Sequence, residues 1–216
     1  ALTEPGPRCS DGPFNRAGNA VLIACVRVDR NDADRSAPID NLLRLVDVRS
    51  GRTLASAALP GVGWFAAAFA ADDRSVLVNR FVSASEAELW RLDLASGERR
   101  RLLPREGEPP QFTLGLGPAG DDGSLLVLSD RFGEFRQLYR YHPQQHRFDG
   151  VTDRIAWDVI AGDRARNGAA AVALVNDRGI GVPYLFDAAQ GSPRPLRLPA
   201  GLNVTTVRLS PDGSRL

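Results

Sequence analysis

Two histidines, several paired carboxylates, two cysteines and one glycine-rich string are the places where this 216-residue chain could do chemistry. His142 and His146 stand four residues apart, the interval that puts two imidazoles on one helical face for zinc. Pro143 and the flanking alternation of apolar and polar residues remove the helix, so both histidines read as turn residues and no metal ligand is expected. The string GLGPAG at residues 115–120 spells the dinucleotide pattern GxGxxG, which works only where a helix begins and offers its N-terminus to the pyrophosphate. DDGS and another strand pattern follow instead, so no cofactor site is expected. Nucleophilic catalysis needs a serine on a sharp turn with a histidine and a carboxylate in reach. No GxSxG occurs, and both histidines share one turn. The pairs Asp72 with Asp73 and Asp121 with Asp122 are candidates for acid–base work. Both pairs fall in polar clusters between apolar runs, where aspartate bonds the backbone of a hairpin turn. The expectation is a segment with no catalytic residue of its own.

The elements that hold these residues follow from a repeat. LVDVRSG ending at Gly51, RLDLASG ending at Gly97, YRYHPQQH ending at His146 and YLFDAAQG ending at Gly191 each run an apolar strand into a turn. The turn positions Asp47, Asp93, His142 and Asp187 are 46, 49 and 45 residues apart, a spacing typical of propeller blades. A second series of polar turns, around Gly18, Arg74, Gly123, Gly168 and Gly213, keeps the same register. Between turns, short apolar or alternating runs bounded by Gly, Asp, Asn and Pro predict antiparallel strands, four to a unit. In the second unit these are residues 64–70, 76–82, 88–94 and 99–103. A bulky residue opens the first strand of successive units, at Trp64, Phe112, Trp157 and Val204, and is expected to pack between blades.

The fold class is therefore all-β, a β-propeller of four-stranded antiparallel blades, because such a sheet has two apolar faces that stacked copies bury. Blades are expected at about 10–60, 61–108, 109–153 and 154–200, with an incomplete fifth at 201–216. About four and a half blades are thus present, a fragment of a larger propeller. A chain that starts at Ala1 and holds no Met fits a segment of a longer precursor. A five-bladed ring, closed by residues 1–15 completing the last blade, is the alternative; the Pro and Gly in that stretch argue against it.

All 27 basic residues are Arg, and the net charge is +1. The run at residues 99–101 lies on a fourth strand facing solvent, so nucleic-acid binding is not expected. No apolar run nears the ~20 residues of a membrane span. Cys9 and Cys25 pair if the protein is exported and are otherwise free.

The run SDRFGEFRQLYRYHPQQHRFDGVTD at residues 129–153, WDV from Trp157 and LSPDGSRL at the end resemble the propeller of prolyl oligopeptidase family serine peptidases of the bacterial dipeptidyl- and acylaminoacyl-peptidase kind. RFVSASEAELWRLDLASGERRRL, residues 80–102, is similar to an earlier blade of that group. The resemblance implies a propeller of seven or eight blades over a C-terminal α/β-hydrolase domain with a Ser-Asp-His triad, expected after Leu216. It implies a peptide substrate for that missing domain and a bacterial cytoplasmic or periplasmic setting. Some members hold the substrate's amino terminus with adjacent glutamates; Glu86 and Glu88 are separated by Ala87, and that role is not carried over. Asp130 and Arg131 match a recurring Asp-Arg pair, repeated at Asp177 and Arg178, which points to structure. The expected site residues are accordingly blade turns: Asp47, Gly51, Asp93, Gly97, Asp187, Gly191, Asp130 and Arg131. The competing reading is a TolB-like propeller that binds a protein or peptide and has no enzyme attached.

Overall fold

The computed structural model describes residues 8–26, 41–166, 168, 170–187, 192–199 and 201–216. The chain divides into two compact units, residues 1–110 and 111–216. Every element among the described residues is a strand, and the strands form four antiparallel four-stranded meanders, the blades of a partial β-propeller.

In the first unit, β1 (Arg8–Ser10), β2 (Ala20–Val26), β3 (Asn41–Asp47) and β4 (Thr53–Leu59) make one sheet, in that order. The second sheet is β5 (Trp64–Phe69), β6 (Ser75–Ser83), β7 (Glu86–Asp93) and β8 (Arg99–Leu103). The two sheets share a core in which Leu22, Leu43 and Leu59 meet Trp64, Phe69, Val76 and Leu92. Trp64 sits in that seam, as expected of it.

The second unit repeats the plan. Its first sheet is β9 (Thr113–Pro118), β10 (Leu125–Ser129), β11 (Gln137–His142) and β12 (Arg147–Gly150). Its second is β13 (Val159–Arg164), β14 (Ala170–Asp177), β15 (Ile180–Asp187) and β16 (Arg194–Pro195).

Burial explains the sequence pattern. The second strand of each sheet is covered on both faces, so β2, β6, β10 and β14 read AVLIACV, SVLVN, LLVLS and AAVALV with no polar alternation. Fourth strands are mostly exposed, and β8 opens with Arg99, Arg100 and Arg101 facing solvent. Strands β5, β9 and β13 each carry a register shift against their neighbour, an irregularity of the kind that bends a strand and deepens its twist.

The polar turn around Arg74 has its left-handed residue at Asp73, with φ 55°. Of the N-terminal stretch, the described residues belong to the first sheet: β1 pairs with β2, and Phe14 bridges Val21. Residues 201–216 form no strand, yet Val207 is buried against Val172 and Leu174 of β14.

Cys9 and Cys25 face each other across the β1–β2 ladder and form a disulfide. β1 has only three paired residues, so the bond is its main tether. Closing a loop of this length removes denatured-state entropy worth about 3 kcal/mol. Replacing both cysteines with serine is expected to lower the unfolding free energy by about 2–4 kcal/mol in urea titration. Intact protein should gain 2 Da per chain on reduction, reflecting the two hydrogens taken up.

Candidate functional site

The turns at Asp47 and Asp93 are each closed by the aspartate itself. The Asp47 carboxylate accepts the N–H groups of Arg49 and Ser50 and the Ser50 hydroxyl, and the Gly51 N–H closes onto the Asp47 carbonyl at φ 69°. Asp93, Ala95, Ser96 and Gly97 repeat these bonds, with Gly97 at φ 73°. In the third sheet His146 takes the glycine's place at φ 51°. His142 Nε2 lies 2.8 Å from an Asp149 carboxylate oxygen and 3.0 Å from an Arg147 nitrogen, donating to the first or accepting from the second according to its tautomer. Asp187 ends β15, and Gly191 lies outside the described residues. Residues 115–120 form the end of β9 and the turn after it, with no helix following.

The paired carboxylates are held the same way. Asp72 accepts from Ser75 and from the Arg91 guanidinium at 2.6 Å, while Asp122 accepts from Ser124 and from Arg140 at 3.0 Å. Both arginines also reach the turn serine, through Nε. An identical Asp-Ser-Arg trio in two blades is a fixture of the repeat. Asp73 instead accepts the Arg16 N–H at 3.1 Å, linking the two sheets of the first unit.

The Ser124 hydroxyl and N–H, with Arg140, bring Asp122 down to about 2; the Ser210 and Ser214 hydroxyls and the Ser214 N–H do the same for Asp212. A carboxylate whose folded value lies below its unfolded value near 3.9 stabilises the fold above that pH, and the contribution disappears as pH falls towards 2. The stability gap between the native chain and Asp122→Asn, followed by urea unfolding, is therefore expected to be constant from pH 7 to about 5 and to close between about pH 4 and 2.

Asp130 and Arg131 tie the end of β10 to the start of β9. Asp130 accepts the Phe112 N–H at 3.0 Å, and Arg131 donates to Gln111 at 3.1 Å. In the repeated pair, Arg178 lies 5.8 Å from the Trp157 ring.

Two constellations were not foreseen. Glu88, 5% exposed, accepts from Trp90 Nε1 at 2.8 Å and Arg101 at 3.1 Å and lies 3.5 Å from Arg80. Its carboxylate is thus spent on a buried ion network beneath the two tryptophans. The other is a cleft of about 610 Å³ at the β10–β11 end of the third sheet, lined by Phe132, Phe135, Tyr139 and Phe148, with Glu134, Asp153 and Arg154 also on its walls. Phe132, Tyr139 and Phe148 contact one another edge-on, at 5.0–6.3 Å between ring centres. Residues 132–148 hold five of the chain's fifteen Phe, Tyr and Trp residues, and that density was the available signal.

Among the described residues no three His, Cys, Asp or Glu side chains are grouped to hold a metal ion, and no helix is long and apolar enough to cross a membrane.

No family model and no curated protein matches the chain in sequence. In fold it is similar to TolB from Acinetobacter baumannii, with 18% identity over 98% of this chain and 48% of that one, at a TM-score of 0.67. A puromycin hydrolase aligns at 16% identity over 97% of this chain and 34% of the other, with a TM-score of 0.66. Pyrococcus horikoshii acylaminoacyl peptidase gives 13%, 91%, 32% and 0.64. This chain spans less than half the length of each. The similarity is one of fold, and it embraces TolB and peptidase structures alike.

Proposed function

We propose that the chain is part of the propeller of a prolyl oligopeptidase-type serine peptidase, admitting short flexible peptides to an α/β-hydrolase domain encoded after Leu216 and excluding folded proteins by shape. A covered hydrolase site is also shielded from water, where fixed hydrogen-bond donors act more strongly. The observation that carries this reading is residues 129–141: the stretch SDRFGEFRQLYRY, which resembles that family, supplies the end of β10, its loop and nearly all of β11. The Cys9–Cys25 disulfide favours an oxidising compartment, which in a bacterium is the periplasm.

The test uses the full-length gene product. A fluorophosphonate probe should label one serine within a GxSxG, and blocked short peptides should be cleaved while folded proteins are spared. A reading frame without that motif, or a full-length product that neither labels nor cleaves, overturns the proposal. The second reading, a TolB-like binding propeller without enzymatic activity, is favoured by the extensive TolB alignment. It predicts a stoichiometric partner in a pull-down with the same product.

A further inference from the structure

We propose that the cleft in the third sheet binds an organic cation carrying N–H donors, an alkylammonium or guanidinium group. The Phe132, Phe135 and Phe148 rings form its walls, and the Tyr139 hydroxyl and the Asp153 carboxylate are the acceptors. The inference stands apart from the peptidase reading, since it needs only the second unit and requires no hydrolase domain.

The size is that of a small-molecule site. The cleft of about 610 Å³ lies open to solvent between the β10–β11 loop and the connection from β12 to β13. Aromatic walls supply apolar contact and, through the negative faces of the rings, attraction for a cation. These rings already accept one: the Arg131 guanidinium lies 5.2 Å from the Phe148 centroid and 5.7 Å from that of Phe132.

Polar groups select the ligand. Tyr139 is only 6% exposed, lines the cleft, and its hydroxyl makes no hydrogen bond among the described residues. The hydroxyl oxygen is the part of the side chain that reaches the open cleft, where a ligand would meet it. Asp153 and Glu134, both exposed, line the same space and make no hydrogen bond or ion pair among the described residues, so their carboxylates face solvent and any ligand that enters. Burial, and then the negative charge of Asp153, raise the Tyr139 phenol above its ordinary value, so it stays a neutral hydroxyl. Against these two carboxylates the lining sets one guanidinium, Arg154. Deeper in, Gln137 is saturated by Ile155, Trp157 and Thr152 and competes for nothing. Arg154 makes no ion pair with either carboxylate among the described residues, so Asp153 and the Tyr139 hydroxyl are left as acceptors open to a ligand.

Calorimetric titration of the full chain with n-butylammonium, n-butylguanidinium and the neutral 1-pentanol tests this without any mutation. Saturable binding of both cations with a Kd of about 1 mM is expected, with 1-pentanol at least ~10-fold weaker. Tyr139→Phe and Asp153→Asn keep shape and volume; each is expected to weaken the cations about 5- to 10-fold and leave 1-pentanol unchanged. A blocked peptide with a central lysine separates the sources: tighter binding than n-butylammonium assigns the cleft to a chain-borne cation, and equal or weaker binding to a free amine. Binding of 1-pentanol as strong as that of the cations, or no saturation by either cation below about 50 mM, overturns the proposal.

Discussion

Replacing Trp64 with alanine is expected to lower the unfolding free energy by about 3–5 kcal/mol, read by far-UV circular dichroism in a urea titration. Trp64 opens β5 and is 6% exposed, filling the seam where the first two sheets meet. Its ring meets Trp90 edge-on at 5.6 Å and carries the Arg80 guanidinium at 5.7 Å. Its Nε1 donates to the Pro60 carbonyl at 2.8 Å. Truncation removes the apolar area, leaves a cavity that sheets pinned by their ladders fill poorly, and strips the carbonyl of its donor. Trp64→Phe keeps most of the volume and is expected to cost about half as much. The control is Val62→Ala two residues away: at 54% exposed it should change stability by no more than about 0.5 kcal/mol. Equal losses at positions 62 and 64 would mean that the seam is not packed as described.

Trp64 was legible because its signal is local. A bulky residue one strand ahead of a polar turn recurs with the blade period, and period alone places it between sheets. The four strands of the second blade were legible for the same reason: alternation and turn chemistry act within a few residues. Asp73 shows what such reading leaves open: the turn series marked the cluster around Arg74, and the positive φ within it falls on Asp73, an aspartate that tolerates the left-handed region. Glu88 was set aside because Ala87 separates it from Glu86. Its partners Arg80 and Arg101 come from flanking strands, 8 and 13 residues away, and nothing in strand alternation announces a buried carboxylate. The cleft is less legible still. Phe132 lies on one loop, Phe148 on β12 and Asp153 on the connection beyond, and only the folded sheet brings them together. β16 is two residues long, in a stretch whose prolines remove ladder donors, so a fourth strand there had little pattern to reveal it.

Gly63→Ala is expected to cost about 3 kcal/mol or more, and Gly97→Ala about 1–2 kcal/mol. Both glycines hold positive φ, 87° and 73°, so alanine at either pays the same backbone strain. Their surroundings differ. A methyl group on Gly97 would meet nothing within 4 Å, whereas on Gly63 it would overlap the Phe81 carbonyl. That carbonyl cannot retreat freely, because the Phe81 N–H donates to the Gly63 carbonyl at 2.8 Å and the neighbouring Arg80 is paired with Trp64 in the β5–β6 ladder. Relief would require β6 to move away from the residue that opens the seam, so the Gly63 substitution should also loosen Trp64. Tryptophan fluorescence of the folded Gly63→Ala variant is expected to shift to longer wavelength, while that of Gly97→Ala stays unchanged. Equal destabilisation by the two substitutions would show that the chain does not pass this close to Phe81 at Gly63.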